Sequence, residues 1–171
     1  MKYSDIYRLY STSQPKDAIH QALREVSVDD SDEQYEDRSP LHLACQYGDT
    51  EGVKILLERD AEPNTKDANG STPIHILGRT SADCADEDKL KEIAVVLMEH
   101  GANIPRSAKN TTALIECVRN RHFKMAEAII NSGTRVNSTD LNGENVLFGF
   151  CAASGDIRRD IRFAKKELDE S

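Results

Sequence analysis

The chain has 171 residues, of which 38% are hydrophobic, and its 22 Lys and Arg against 30 Asp and Glu leave a formal net charge of −8. This acidic balance disfavours nucleic acid as a partner, because a phosphate backbone repels it. No apolar run approaches the roughly 18 residues of a membrane-spanning helix, and the first residues lack the apolar stretch of a secretory signal. We therefore expect a protein that does not enter membranes.

The four cysteines, Cys45, Cys84, Cys117 and Cys151, lie far apart in the chain. They form neither a CxxC pair nor a Cys/His spacing typical of zinc sites. Reduced thiols are the simplest interpretation, and they favour a cytoplasmic location. The sequence predicts no metal site and no cofactor.

The charge is distributed unevenly. Residues 1–105 hold 11 Lys and Arg against 21 Asp and Glu, a net of −10, whereas residues 106–171 hold 11 against 9, a net of +2. A partner with a basic surface would be steered towards the acidic part. The alternative is that the charge only keeps the protein in solution.

The first predicted elements are two helices, of which Pro15 opens the second. The residues expected to face inward from the first helix are Ile6, Tyr7, Leu9 and Tyr10. Asp17, Ile19 and Leu23 fit the same frame in the second helix. An acidic segment, residues 29–37, follows them. We interpret it as a solvated loop, with a docking site for Lys or Arg as the alternative. It contains no Gly and no EF-hand spacing, so calcium is not expected.

A helix-start signal then recurs along the chain. Ser39-Pro40-Leu41-His42 is repeated 33 residues later by Thr72-Pro73-Ile74-His75. Proline suits the first turn of a helix, and Ser or Thr before it is a preferred N-cap. The same frame returns at Thr112, 40 residues further on, and at Asn145, another 33 on. An acidic insertion near residues 81–88, also interpreted as a solvated loop, accounts for most of the longer interval.

A second apolar run follows each of the first three start signals and ends in a turn. These runs occupy residues 53–57, 94–98 and 126–130. Each helix pair is apolar on one side only, so it must stack on its neighbours to be stable. The tail, residues 156–170, predicts a final amphipathic helix that caps the stack.

These two phased patterns resemble the ankyrin repeat, a unit of about 33 residues with a T-P-L-H-x-A signature. The resemblance implies an all-α solenoid of stacked helix-turn-helix units joined by short β-hairpin-like fingers. One domain of five units would span residues 1–171, with divergent first and last units. The unit boundaries fall near residues 2–34, 35–67, 68–108 with the insertion, 109–141 and 142–171.

The resemblance also gives the histidines a structural role. His42 and His75 occupy the signature position at which the family hydrogen-bonds within and between repeats, so we expect no catalysis from them. His20, His100 and His122 are expected to be isolated and exposed. No nucleotide-binding loop, nucleophile with its base or ligand set is present, so we expect no enzyme.

Function is therefore predicted at the surface, where the family binds protein partners with its finger tips and the exposed side of its first helices. We expect a monomer that binds another protein as a scaffold, adaptor or inhibitor. The alternative is a targeting or regulatory region of an enzyme, or of a pathogen or viral effector whose other part is absent here. The positions that map onto the contact surface are Tyr35, Glu36, Arg38, Gln46, Tyr47, Asn69, Ser71, Arg79, Thr80, Lys109, Thr111, Arg119, Asn120, Asn142 and Glu144.

Overall fold

The computed structural model describes residues 2–80, 86–104 and 112–133. Within these ranges the chain forms eight α-helices, one short 3-10 helix and no strand. The helices are α1 (Tyr3–Ser11), α2 (Lys16–Glu25), α3 (Pro40–Gln46), α4 (Thr50–Glu58), α5 (Pro73–Arg79), α6 (Glu87–Glu99), α7 (Ala113–Arg119) and α8 (Phe123–Asn131), and the 3-10 helix is Glu33–Tyr35.

The helices stack in two parallel layers. The first helices of successive pairs pack in the order α1, α3, α5, α7, and the second helices in the order α2, α4, α6, α8. Their apolar residues form one continuous core between the layers. The predicted all-α solenoid of stacked helix pairs is confirmed for the part of the chain that the structure describes.

The helix starts lie where the signature predicts them. Pro40 and Pro73 are the first residues of α3 and α5, where a missing N–H costs nothing. Ser39 and Thr72 precede them in an extended conformation as N-cap residues. In α7 the N-cap is Thr112, whose hydroxyl accepts a hydrogen bond from the backbone N–H of Ile115 at 3.3 Å.

The finger between the second and third pairs is a tight turn held by one carboxylate. Asp67 Oδ1 accepts from the backbone N–H groups of Asn69 and Ser71, at 2.9 and 2.8 Å. The backbone N–H of Asp67 in turn donates to the carbonyl of Ser71, as in a hairpin. The next N–H, that of Ala68, donates to the carbonyl of Glu36 in the preceding finger at 2.8 Å. Neighbouring fingers are therefore bonded to each other.

Part of the predicted acidic insertion is helical instead of a loop. Asp86 is the N-cap of α6 and accepts from the N–H of Asp88 at 3.0 Å, and Glu87 and Asp88 form the first turn. Acidic side chains are favoured there because the N-terminal end of a helix carries partial positive charge. Glu87 also accepts from the backbone N–H of Phe123 at 3.0 Å. The solvated-loop prediction is wrong for these residues.

Several predictions concern residues outside the described ranges. They are the first part of the insertion, the fifth unit, the final helix at 156–170, and the residues Cys84, Lys109, Thr111, Asn142, Glu144 and Cys151.

Candidate functional site

The second helix pair carries an arginine that links a finger to the helix behind it. Arg38 donates to Gln46 Oε1 at 2.7 Å and forms an ion pair with Glu36. Its Nε lies 3.8 Å from Oδ2 of the fully buried Asp67 carboxylate. Three of the predicted contact residues are thus held together by one guanidinium group. Glu36 is exposed, whereas Arg38 and Gln46 are half-buried.

Aromatic rings from the first two pairs contact each other beside this arginine. Tyr35 packs against Tyr7 and Tyr3, with ring centroids 4.2 and 5.7 Å apart. Tyr47 stacks nearly parallel on Tyr10, with centroids 4.8 Å apart. Tyr47 remains 40% exposed and is the one exposed large hydrophobic side chain among the described residues.

The third pair repeats the arrangement with less exposure. Arg79 donates to Ser71 Oγ at 3.0 Å and pairs with Glu116 of α7 at 3.1 Å. Asn120 donates to the carbonyl of Gly78 at 3.0 Å. Arg119 on α7 is exposed. The described contact residues therefore lie on the finger and first-helix side of the stack, and most of them bond to a neighbouring pair.

The signature histidine connects a helix start to the next finger. His42 Nδ1 accepts from the backbone N–H of Ser39 at 3.1 Å, so its proton resides on Nε2, which donates to the carbonyl of Ser71 at 3.0 Å. His75 repeats the local contact with Thr72. Burial lowers the pKa of His42 to about 4, so this side chain is neutral at physiological pH.

The comparisons with known proteins agree with this architecture. Residues 23–77 match the family model for ankyrin repeats (many copies). The matched segment includes α3, α4 and the bonded fingers described above.

The chain contains ankyrin repeats.

Curated relatives contain similar ankyrin repeats within much longer chains. The chain is 34% identical over 85 residues to human transient receptor potential cation channel subfamily A member 1, covering 48% of this chain and 7% of that protein. It is 49% identical over 41 residues to the Caenorhabditis elegans homolog of that channel, covering 24% and 3%. It is 34% identical over 108 residues to neurogenic locus notch homolog protein 1 of Mus musculus, covering 63% and 4%. The chain thus spans less than a tenth of each of these relatives.

Two predicted contact residues of the ankyrin repeats are buried. Ser71 is 0% exposed and Thr80 is 8% exposed. The Ser71 carbonyl and hydroxyl accept from His42 and Arg79, and the Thr80 carbonyl accepts from His122. The expectation that Ser71 and Thr80 lie at the surface is wrong, because each bonds one repeat to the next.

Two histidines expected to be isolated are also bonded between repeats. His20 Nε2 donates to the buried carboxylate of Asp49 at 3.0 Å, and this carboxylate also accepts from the Tyr10 hydroxyl at 2.8 Å. His122 is 1% exposed, and its Nε2 donates to the Thr80 carbonyl. The expectation of exposure is wrong for His20 and His122, and confirmed for His100.

The sequence interpretation missed Tyr3 and Tyr7 as aromatic neighbours of Tyr35. The available signal was the distribution of tyrosine: the chain has five, all within its first 47 residues. The first unit diverges from the signature, so its Tyr7 is predicted to face inward and no contact position is mapped onto α1. The ring contacts across α1, the 3-10 helix and α3 depend on the stacking itself.

The described cysteines, Cys45 and Cys117, are free and buried. Burial raises the pKa of the Cys45 and Cys117 thiols, which disfavours the reactive thiolate. No group of three or more His, Cys, Asp or Glu within residues 2–80, 86–104 and 112–133 is arranged to hold a metal ion. No helix in those ranges combines the length and apolarity needed to cross a bilayer.

Proposed function

We propose that the chain binds another protein through the groove formed by its finger tips and first helices, without catalysing a reaction. The observation that carries this proposal is the ring of Tyr47, which stacks on Tyr10 and remains 40% exposed. Its chain neighbour Gln46 accepts a hydrogen bond from Arg38. Tyrosine and arginine are the residues that most often dominate binding energy at protein interfaces. Ankyrin repeats are in general protein-interaction modules.

The surface of this groove comprises the exposed and half-buried positions of the mapped set. They are Tyr35, Glu36, Arg38, Gln46, Tyr47, Asn69, Arg79, Arg119 and Asn120. Lys109, Thr111, Asn142 and Glu144 extend it on the basis of the family pattern alone. Ser71 and Thr80 are left out because they are buried.

The net charge of −10 over residues 1–105 supports a partner with a basic surface. The chain acts as a monomer in the cytoplasm in this proposal, and the free, buried thiols of Cys45 and Cys117 are compatible with a reducing compartment. As a scaffold, adaptor or inhibitor, it needs no cofactor.

A second candidate is a targeting or regulatory region of a larger assembly. The relatives favour it, because the matched repeats make up 7% of a human channel and 4% of a mouse protein named for the notch locus. In that case the same groove would bring an enzyme or effector portion to its target.

The groove is tested by Tyr47→Ala, with Lys91→Ala on the exposed side of α6 as the matched control. Partners are captured on the immobilised chain from the source cell's lysate, identified by mass spectrometry, purified and titrated against each variant. Loss of a central aromatic contact lowers affinity by roughly tenfold or more. We expect that loss for Tyr47→Ala alone. Equal affinities of Tyr47→Ala and the original chain would contradict the groove.

A further inference from the structure

A small pocket opens between the first helix, the 3-10 helix and α3. Its volume is about 300 Å³, which is the low end of ligand pockets and suits one side chain. Three tyrosines, Tyr3, Tyr7 and Tyr35, supply its aromatic wall, and Glu36 and Arg38 stand at its polar side. The pocket thus shares residues with the proposed groove but extends beyond them onto α1.

The tyrosine rings form a continuous aromatic surface. Tyr35 is half-buried and lies between Tyr3 and Tyr7, within 5.7 Å of both ring centroids. Aromatic faces carry partial negative charge and attract Lys, Arg or other cations placed within about 6 Å of the ring centroid. A pocket that adjoins several such faces favours a positively charged occupant.

The hydroxyl of Tyr3 is an unsatisfied polar group of this pocket. Tyr3 is 1% exposed, and its hydroxyl oxygen makes no hydrogen bond with any residue that the structure describes. A buried hydroxyl without a partner is unfavourable, and a bound ligand removes that penalty by supplying one. Burial raises the pKa of Tyr3, so the oxygen stays protonated and neutral and can accept a hydrogen bond from a cation.

The charge around the pocket determines the sign of the charge that a ligand must carry. Residues 29–37 contain six Asp and Glu and no Lys or Arg, and the segment supplies Tyr35 and Glu36 to the pocket wall. It is tied to the start of α1 by Asp30, which accepts from the backbone N–H of Tyr3 at 2.9 Å. The Arg38 guanidinium in the wall is already engaged by Glu36 and Gln46. A carboxylate would meet repulsion here, whereas a cation would be attracted.

We infer that this pocket binds a lysine or arginine side chain of the partner protein, with the cation against Tyr7 and Tyr35 and a hydrogen bond to the Tyr3 hydroxyl. The inference rests on the proposed function and names the chemistry that part of the groove recognises. Gln34 and Glu36 are exposed at the pocket edge, and exposed side chains change rotamer within nanoseconds. Their outward rotation opens the path to Tyr3.

The probe for this pocket is an acetylated tetralysine peptide, titrated into the isotope-labelled full chain at 0.15 M salt. We expect saturable shifts of the Tyr3, Tyr7 and Tyr35 ring resonances in NMR spectra. Tyr3→Phe removes the hydroxyl and Tyr7→Ala removes a ring face, and each should lower affinity about tenfold. Tyr7→Phe keeps the ring and should bind as the original chain does.

Three results would overturn the pocket. The first is equal tetralysine affinity in Tyr3→Phe, Tyr7→Ala and the original chain. The second is tetralysine shifts confined to acidic side chains, and the third is preferential binding of a tetraglutamate peptide. Because the Tyr3 hydroxyl has no described partner, Tyr3→Phe leaves the fold intact, and its dispersed spectrum verifies this.

Titration of the purified captured partner against the variants distinguishes an error in the pocket proposal from an error in the groove proposal. If Tyr47→Ala weakens binding of the partner and Tyr7→Ala does not, the pocket proposal is wrong and the groove proposal is retained. If neither weakens it, both are wrong. If both Tyr47→Ala and Tyr7→Ala lower the affinity for the partner, and Tyr7→Phe retains it, the result supports the pocket as part of the groove.

Discussion

At the scale of single residues, His42 shows how a titratable side chain becomes a fixed connector. Its Nδ1 accepts from Ser39 and its Nε2 donates to Ser71, so both nitrogens are used and the ring is neutral. The ring is fully buried, and burial lowers its pKa from 6.5 to about 4. Protonation of Nδ1 would occupy the lone pair that accepts the hydrogen bond from the Ser39 N–H.

This pKa predicts how stability depends on pH. Between pH 6.5 and pH 4 the unfolded chain takes up a proton at His42 while the folded chain does not. The free energy of unfolding therefore falls as the pH decreases through this window, by about 3 kcal/mol in total from this residue. Above pH 6.5 both states are neutral and the residue contributes no slope. Urea unfolding at a series of pH values measures the effect.

The variant His42→Asn isolates this contribution. We expect it to be less stable at pH 7 and to show a flatter dependence between pH 6.5 and pH 4 than the original chain. His100→Asn, at an exposed position, is the matched control and should retain the original slope. An unchanged slope in His42→Asn would refute this assignment.

At the scale of elements, α4 lies unusually close to the first pair. Asp49, just before α4, accepts from the Tyr10 hydroxyl of α1 and from His20 of α2. Gly52 stands one turn later, and a Cβ atom there would lie 2.6 Å from Asp49 Oδ2 and 2.9 Å from both the Tyr10 hydroxyl and Leu23 Cδ1. The bonded Asp49 and Tyr10 cannot move aside without losing their contact.

We therefore expect Gly52→Ala to destabilise the protein by about 1–3 kcal/mol, the usual cost of overpacking a core. This outcome opposes helix propensity, which favours alanine over glycine by about 1 kcal/mol. Glu58→Ala, at an exposed position in the last turn of α4, gains propensity without the clash and is the control. Denaturant unfolding compares the two variants. A Gly52→Ala protein more stable than the original chain would show that α4 can shift.

At the scale of the whole molecule, stability is a sum over contacts between neighbouring pairs. The first helices α3 and α5 each pack against a first helix on both sides, whereas α1 has such a neighbour only in α3 among the described helices. Opening of the protein should therefore begin at α1.

Hydrogen exchange measures this gradient. We expect the amide protons of α1 to exchange about tenfold faster than those of α3 and α5. Tyr10→Phe removes the hydroxyl that donates to Asp49, so exchange should accelerate further in α1 and α2 but not in α7. Tyr47→Phe keeps the ring on the exposed side and is the control. Uniform protection across these helices would contradict nearest-neighbour stacking.

The contacts between repeats separate what could be predicted from what could not. The starts of α3 and α5 follow from Ser39-Pro40 and Thr72-Pro73, because capping and the proline restriction act within one turn. The hydrogen bonds of His20 and His122 did not follow, since their acceptors lie 29 and 42 residues away in another pair. The pocket could not be predicted for the same reason, because its rings come from α1 and from a segment some 30 residues further along the chain.

The amino-acid pattern alone determined the helix pairs, the intervals of 33 and 40 residues between their starts and the necessity of stacking, because apolar periodicity and helix-start chemistry are local properties. Which polar side chains face a neighbouring repeat and which face water depends on how the repeats stack. Ser71 and Thr80 became internal acceptors and Tyr3 and Tyr7 became pocket walls because stacking sets those distances. Burial of a side chain depends on all the elements packed around it, whereas helix formation depends mostly on its own sequence neighbours.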